Sequence, residues 1–207
     1  PILPKVGLTA LIGTSDIGKS TLLLQLCRNV VLDDTFLDFK LTPEHRNAIY
    51  VSTEDDASSI SYRLQHLKID ETKLKGLRCV FNSDKLEQTL ERMLKQQRAD
   101  IVAIDTFADI FTGDMNQNTS VRNCMEKFSI LAMKYQCLII FNHHTGKKTE
   151  DKPPHKDHAI GSVGFEGKSR VVIELRQDYL ESGKRHFCIV KGNYLGSEYK
   201  TSSFVLN

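Results

Sequence analysis

Two glycines with four residues between them, followed at once by lysine and serine, constrain this chain more than any other feature: Gly13-Thr14-Ser15-Asp16-Ile17-Gly18-Lys19-Ser20. Glycine tolerates the tight backbone in which consecutive N–H groups converge on an anion. The spacing G-x-x-x-x-G-K-S predicts a phosphate-cradling loop between a strand and a helix. Lys19 supplies a point charge for outer phosphates, and Ser20 a hydroxyl for magnesium. The flanks agree. Leu8-Thr9-Ala10-Leu11-Ile12 reads as a short apolar strand, and Thr21-Leu22-Leu23-Leu24-Gln25-Leu26-Cys27 as a buried helix. The start of that helix adds the positive end of its dipole. The expected cradle is Gly13, Thr14, Ser15, Asp16, Ile17, Gly18, Lys19, Ser20 and Thr21. Asp16 is unfavourable beside phosphate unless its side chain turns away.

Further along, apolar runs alternate with amphipathic ones. Ala48 to Ser52, Leu77 to Phe81, Asp100 to Asp105 and Cys137 to Phe141 read as strands. Between them, Ile60, Leu64 and Leu67 recur at helical spacing, as do Leu86, Leu90, Met93 and Leu94. Val121, Cys124, Met125, Phe128, Leu131, Ala132 and Tyr135 form a third stripe. Residues 31–46 read as a polar connection. Buried strands alternating with helices predict an α/β fold with a mainly parallel twisted sheet flanked by helices. After a polar stretch, 145–160, the pattern changes to strands with short connections: Arg170 to Leu175, His186 to Lys191 and Ser203 to Leu206. These predict an antiparallel C-terminal extension at one sheet edge. A length of 207 residues fits a single domain over 1–207. The start at Pro1, almost directly on the first strand, is read as the start of a fragment of a longer protein.

Ligands of open α/β sheets bind beyond the carboxyl ends of the strands, so the residues that end them are the chemical candidates. Asp105 ends an apolar strand, where a buried carboxylate is costly unless paired or near a metal. It is expected to orient the magnesium shell together with Ser20; a helix-capping aspartate is the alternative. Glu54 is the expected general base for the attacking water, with Asp55 and Asp56 as rivals that also suit the first turn of the helix beginning there. His143 and His144 end the last parallel strand. Neighbours on an extended chain point to opposite sides, so a single metal would not take both. His143 is expected to sense the terminal phosphate, with a structural histidine as the alternative.

The net charge of +2 excludes strong bulk attraction to nucleic acid, so such contact must come from a local patch. Lys147, Lys148, Lys152 and Lys156 are the candidates, in a loop that also holds Glu150, Asp151 and Asp157. Arg170 opens an apolar strand and is the expected arginine finger toward a neighbouring chain's nucleotide, with Lys168 and Lys191 as alternatives. The five cysteines lack any C-x-x-C pairing and read as buried thiols in a reducing cytoplasm. No apolar run is long enough to span a membrane.

Several runs occur in the order found in RecA-like ATPases: Gly13 to Ser20, Ser52-Thr53-Glu54-Asp55-Asp56, Ile104-Asp105-Thr106, Phe141-Asn142-His143-His144-Thr145-Gly146-Lys147, and Gly161-Ser162 with Arg170. Over nearly its whole length the chain resembles the RepA-type hexameric replicative helicases of plasmids and mobile elements. That resemblance implies ATP and Mg2+ as cofactors and Glu54 as the catalytic carboxylate. It places Asp105 as the Walker B acid, His143 as the phosphate sensor and Arg170 as the finger. It also implies a homo-oligomeric ring around single-stranded DNA, gripped by loops near 112–119 and 145–160. In one respect the chain departs from DnaB-type relatives: Lys191-Gly192-Asn193 stands where they carry K-x-R.

Overall fold

The alternation of buried strand and amphipathic helix becomes an eight-stranded sheet covered on both faces. A computed structural model describes residues 2–67, 74–82, 84–146, 149, 152–160 and 162–206. Strand β1 (Gly7–Gly13) runs directly into helix α1 (Lys19–Leu32) through the glycine-rich loop. Then come β4 (Ala48–Ser52), α2 (Ala57–His66), β5 (Leu77–Val80), α3 (Leu86–Gln96) and β6 (Ile101–Asp105). The one-turn α4 (Phe107–Ile110), the long α5 (Asn118–Tyr135) and β7 (Leu138–His144) follow. The C-terminal part holds α6 (Ser162–Lys168), β8 (Val171–Gln177), β9 (Arg185–Gly192), α7 (Glu198–Thr201) and β10 (Ser203–Leu206). The sheet order is β10-β9-β8-β1-β7-β6-β4-β5. All pairings from β8 through β1 to β5 are parallel. Strands β9 and β10 add on antiparallel, as the change of pattern after residue 160 predicts.

Alternation along each strand divides the core in two. Leu11, Tyr50, Ala103, Leu138 and Ile140 face α1. Ile12, Val51, Ile104, Ile139 and Phe141 face α3 and α5. On α5 the buried residues are Val121, Met125, Phe128, Leu131, Ala132 and Tyr135. Each large apolar side chain buried this way contributes about 1.5–3 kcal/mol.

Three features differ from the sequence reading. Within the supposed polar connection, β2 (Thr35–Phe36) and β3 (Phe39–Lys40) pair as a small hairpin, with Phe36 packed edge-on to Phe187 at 6.3 Å. Two-residue strands are too short to show a period. Second, α4, α6 and α7 are helices of seven residues or fewer, below the length at which helical spacing is legible. Third, Cys27, Cys137 and Cys188 are buried, but Cys79 and Cys124 are only half-buried. Burial pushes the Cys137 thiol up to about 12 and that of Cys188 to about 11.

Candidate functional site

The centre of the sheet brings four strand ends together at one edge. Because β1 lies between β7 and β8, the glycine-rich loop leaves the sheet flanked by His144, which pairs with Gly13. Beyond β7 come β6 and β4, where Ser52 pairs with Asp105. The loop itself shows why glycine is needed. A Cβ on Gly13 would lie 2.7 Å from the carbonyl oxygen of Leu175, and Gly18 has φ 99°. Arg185 donates from Nε to the Ile17 carbonyl at 3.3 Å, which ties β9 to the loop. Ser15, Asp16 and Thr21 are exposed, and Asp16 takes the left-handed region at φ 60°.

Lys19 is buried, and its Nζ donates to the Thr14 carbonyl at 2.6 Å, bracing the loop from inside. Burial pushes its amine below the ordinary value, against the pull of charges on Asp105, Glu54 and Asp16. Those charges converge on one ammonium group, so Asp105 and Glu54 belong to the same site.

Asp105 is buried and doubly held. Tyr50 Oη donates to its Oδ2 at 2.5 Å, and Asn142 Nδ2 donates to its Oδ1. The same Asn142 Nδ2 lies 3.5 Å from Ser20 Oγ. Burial and then Asp105 push the Tyr50 phenol far above its ordinary value, so it stays protonated and donates. Two donors offset the desolvation of a buried carboxylate. Neither Tyr50 nor Asn142 was singled out from the sequence. The available signal was a polar atom at a strand position on the α1 face, the face that carries Leu138 and Ile140.

Glu54 is exposed, with 53% of its side chain open, and His144 Nε2 is 3.9 Å from its Oε1. Its rivals are engaged elsewhere. Asp56 caps α2 by accepting from Ser59 N at 2.8 Å, and Asp55 pairs with Arg63 at 2.8 Å. Thr53 fixes the bend before Glu54, donating from its backbone N–H to Asp105 O at 2.8 Å and from Oγ1 to Asp109 at 2.6 Å.

His143 is placed differently from the expected sensor. Its ring sits on the α5 face, 4.8 Å from the Phe165 ring and 5.6 Å from that of Phe107, with Nε2 against the Ile160 carbonyl at 2.8 Å. Strand parity is the reason: His144 shares the α1 face with Asn142, and His143 does not. Of the pair, His144 is the histidine beside Glu54.

This burial has a measurable consequence. Desolvation, opposed by the Ile160 carbonyl, lowers the His143 imidazole to about 4. The unfolded chain takes up a proton near pH 6.5 that the folded chain refuses until well below it. The stability from this group is therefore full above pH 6.5 and is lost as pH falls toward 4, by up to about 3 kcal/mol. Melting temperatures should drop over that interval, and His143→Phe should flatten the drop. An unchanged slope in that variant would assign the acid sensitivity to other groups.

The loop after β7 is anchored rather than free where it is described. Glu174, buried on β8, accepts from His155 N at 2.9 Å, pairs with His158 Nδ1 at 3.0 Å and takes Arg176 at 2.9 Å. Lys152 is exposed, while Lys156 lies 3.4 Å from Glu166. Lys147, Lys148 and Gly161 lie outside the described residues.

Arg170 is at the other end of the sheet. Its N–H donates to the Leu8 carbonyl at 2.8 Å, beside the start of β1. Gly13 is five residues further along that strand, about 17 Å away. Lys191 is 3.0 Å from Glu166, and Lys168 pairs with Glu126. The Arg170 guanidinium has no carboxylate partner among the described residues, and its Nη2 contacts Met133 Sδ at 3.9 Å.

No group of three or more His, Cys, Asp or Glu among the described residues could hold a metal alone. Ser20 and Asp105 instead offer oxygens to a hard cation, joined by an amide whose Nδ2 reaches both. That set fits magnesium, which is usually held by one or two protein oxygens plus substrate phosphates. Among the described residues no helix is long and apolar enough to cross a membrane. The family model described as AAA domain matches residues 1–150. No curated protein matches the chain.

Proposed function

The chain belongs to the AAA domain family, whose P-loop domains hydrolyse nucleotides, and from that premise we propose that it is the ATP-driven motor domain of a ring-forming replicative DNA helicase of the RepA type. The observation that carries this reading is the separation of Arg170 from its own P-loop by the length of β1. A guanidinium there, without a carboxylate partner among the described residues, could reach a nucleotide only on another copy. A heterologous contact of that kind closes into a ring when its rotation permits.

In this reading the loop amides and Lys19 hold the β- and γ-phosphates, and Glu54 polarises the attacking water. His144 stands where it can feel the state of Glu54. Arg170 of a neighbouring copy supplies the charge that stabilises the transition state. Magnesium, when bound with ATP, neutralises phosphate charge, and Ser20 and Asp105 are the residues that would hold it. Single-stranded DNA would run past residues 112–119 and 145–160, where Lys147, Lys148, Lys152 and Lys156 are the candidate contacts.

One observation favours a second reading, an ATPase switch that controls partner binding without translocation. Lys156 is engaged by Glu166, and the loop around it is pinned to Glu174. Strand separation on a forked duplex with ATP tests the two. ATP-dependent unwinding is the expected result. Hydrolysis that ignores single-stranded DNA, with no unwinding, would replace the helicase reading with the switch.

A further inference from the structure

Asn142 ends an apolar run on β7, and its residue is 2% exposed. A buried side-chain amide has two donors and two acceptor lone pairs to satisfy. Its Nδ2 is spent on Asp105 Oδ1 and on Ser20 Oγ, 3.5 Å away. Its Oδ1 has no hydrogen-bond partner among the described residues. A buried, orphaned acceptor is unfavourable and rare in native proteins, and where it persists it usually answers to a bound group or water. This one belongs to a side chain whose Nδ2 touches both oxygen donors of the expected metal site.

We infer that Asn142 is a positioning residue of the metal shell: its Nδ2 holds Asp105 and Ser20 in register, and its free Oδ1 accepts from water of the magnesium that arrives with nucleotide. The inference rests on reading the P-loop as a magnesium-nucleotide site. Residues one shell out from a metal set ligand orientation and typically change metal affinity by one to two orders of magnitude. Its amide interrupts an otherwise apolar stripe, since the strand positions before it on the same face are Leu138 and Ile140.

Calorimetric titration of the full chain with ADP, once in EDTA and once in excess magnesium chloride, separates the terms. In Asn142→Leu, affinity in EDTA should stay near the wild-type value, while the gain on adding magnesium shrinks about tenfold. Asn142→Gln keeps both the amide donor and the acceptor oxygen, and should recover part of the gain. An undiminished gain in the leucine variant would overturn the inference, as would equal loss with and without magnesium. Should the leucine variant not fold, Asn142→Ala decides, because an undiminished gain there would equally overturn the inference. If wild-type chain shows no ADP binding in either buffer, it is the nucleotide-site reading that fails.

Discussion

Lys19→Ala is expected to lower steady-state ATP hydrolysis by about three orders of magnitude, about 4 kcal/mol in barrier. The charges of Asp105 and Glu54 converge on the Lys19 ammonium. Its loss leaves the developing phosphate charge facing two carboxylates without the ammonium that balances them. Stability should move the other way or not at all. The lysine is buried, with its amine pushed below its ordinary value by desolvation, so folding carries a cost for it that alanine does not. Loss of turnover with an equal or higher melting temperature would therefore separate function from fold. Hydrolysis within about tenfold of wild type, in a folded variant, would remove the P-loop from the mechanism.

Arg170→Ala carries the second large effect. Under the proposed arrangement, nucleotide affinity changes little, because Arg170 does not reach the P-loop of its own chain. Turnover falls about a thousandfold or more, the range in which arginine fingers act. Mixing is the more telling experiment. An Arg170→Ala chain keeps its own Glu54, and a Glu54→Gln chain keeps its own Arg170. Where the first presents its P-loop to the second, one complete site is rebuilt. Mixed samples should hydrolyse ATP faster than either variant alone. If no ratio of the two rescues turnover, Arg170 does not act between chains, and its position at the amino end of β8 needs another explanation.

Much of the fold was legible because its strands are buried on both faces. Runs such as Ile101–Asp105 and Ala48–Ser52 carry almost no polar interruption, and Ser203–Leu206 is a strand with the bounds read from its pattern. The site was legible where a residue type has few other uses: two glycines and a lysine at fixed spacing, or an acid closing an apolar strand. Facing was harder. Which histidine of the pair looks at Glu54 depends on the parity of β7 relative to α1. That parity is visible only when Leu138 and Ile140 are known to pack on the P-loop helix rather than on α5. The same parity hid Tyr50 and Asn142, since a tyrosine or asparagine in an apolar run reads as packing until its polar atom is seen beside Asp105. Glu174 hid for a different reason. Its partners His158 and His155 come from a loop with no period of its own, so no local pattern announces the anchor. The acid inside Val171–Gln177 was the available sign.

The most direct test of a motor whose sites are completed by a neighbour is the rate of ATP hydrolysis per chain, measured over a wide range of protein concentration with and without single-stranded DNA. The proposed arrangement predicts a specific rate that climbs with concentration as chains assemble and climbs further when single-stranded DNA is added. A specific rate that is the same at every concentration and indifferent to DNA would contradict it.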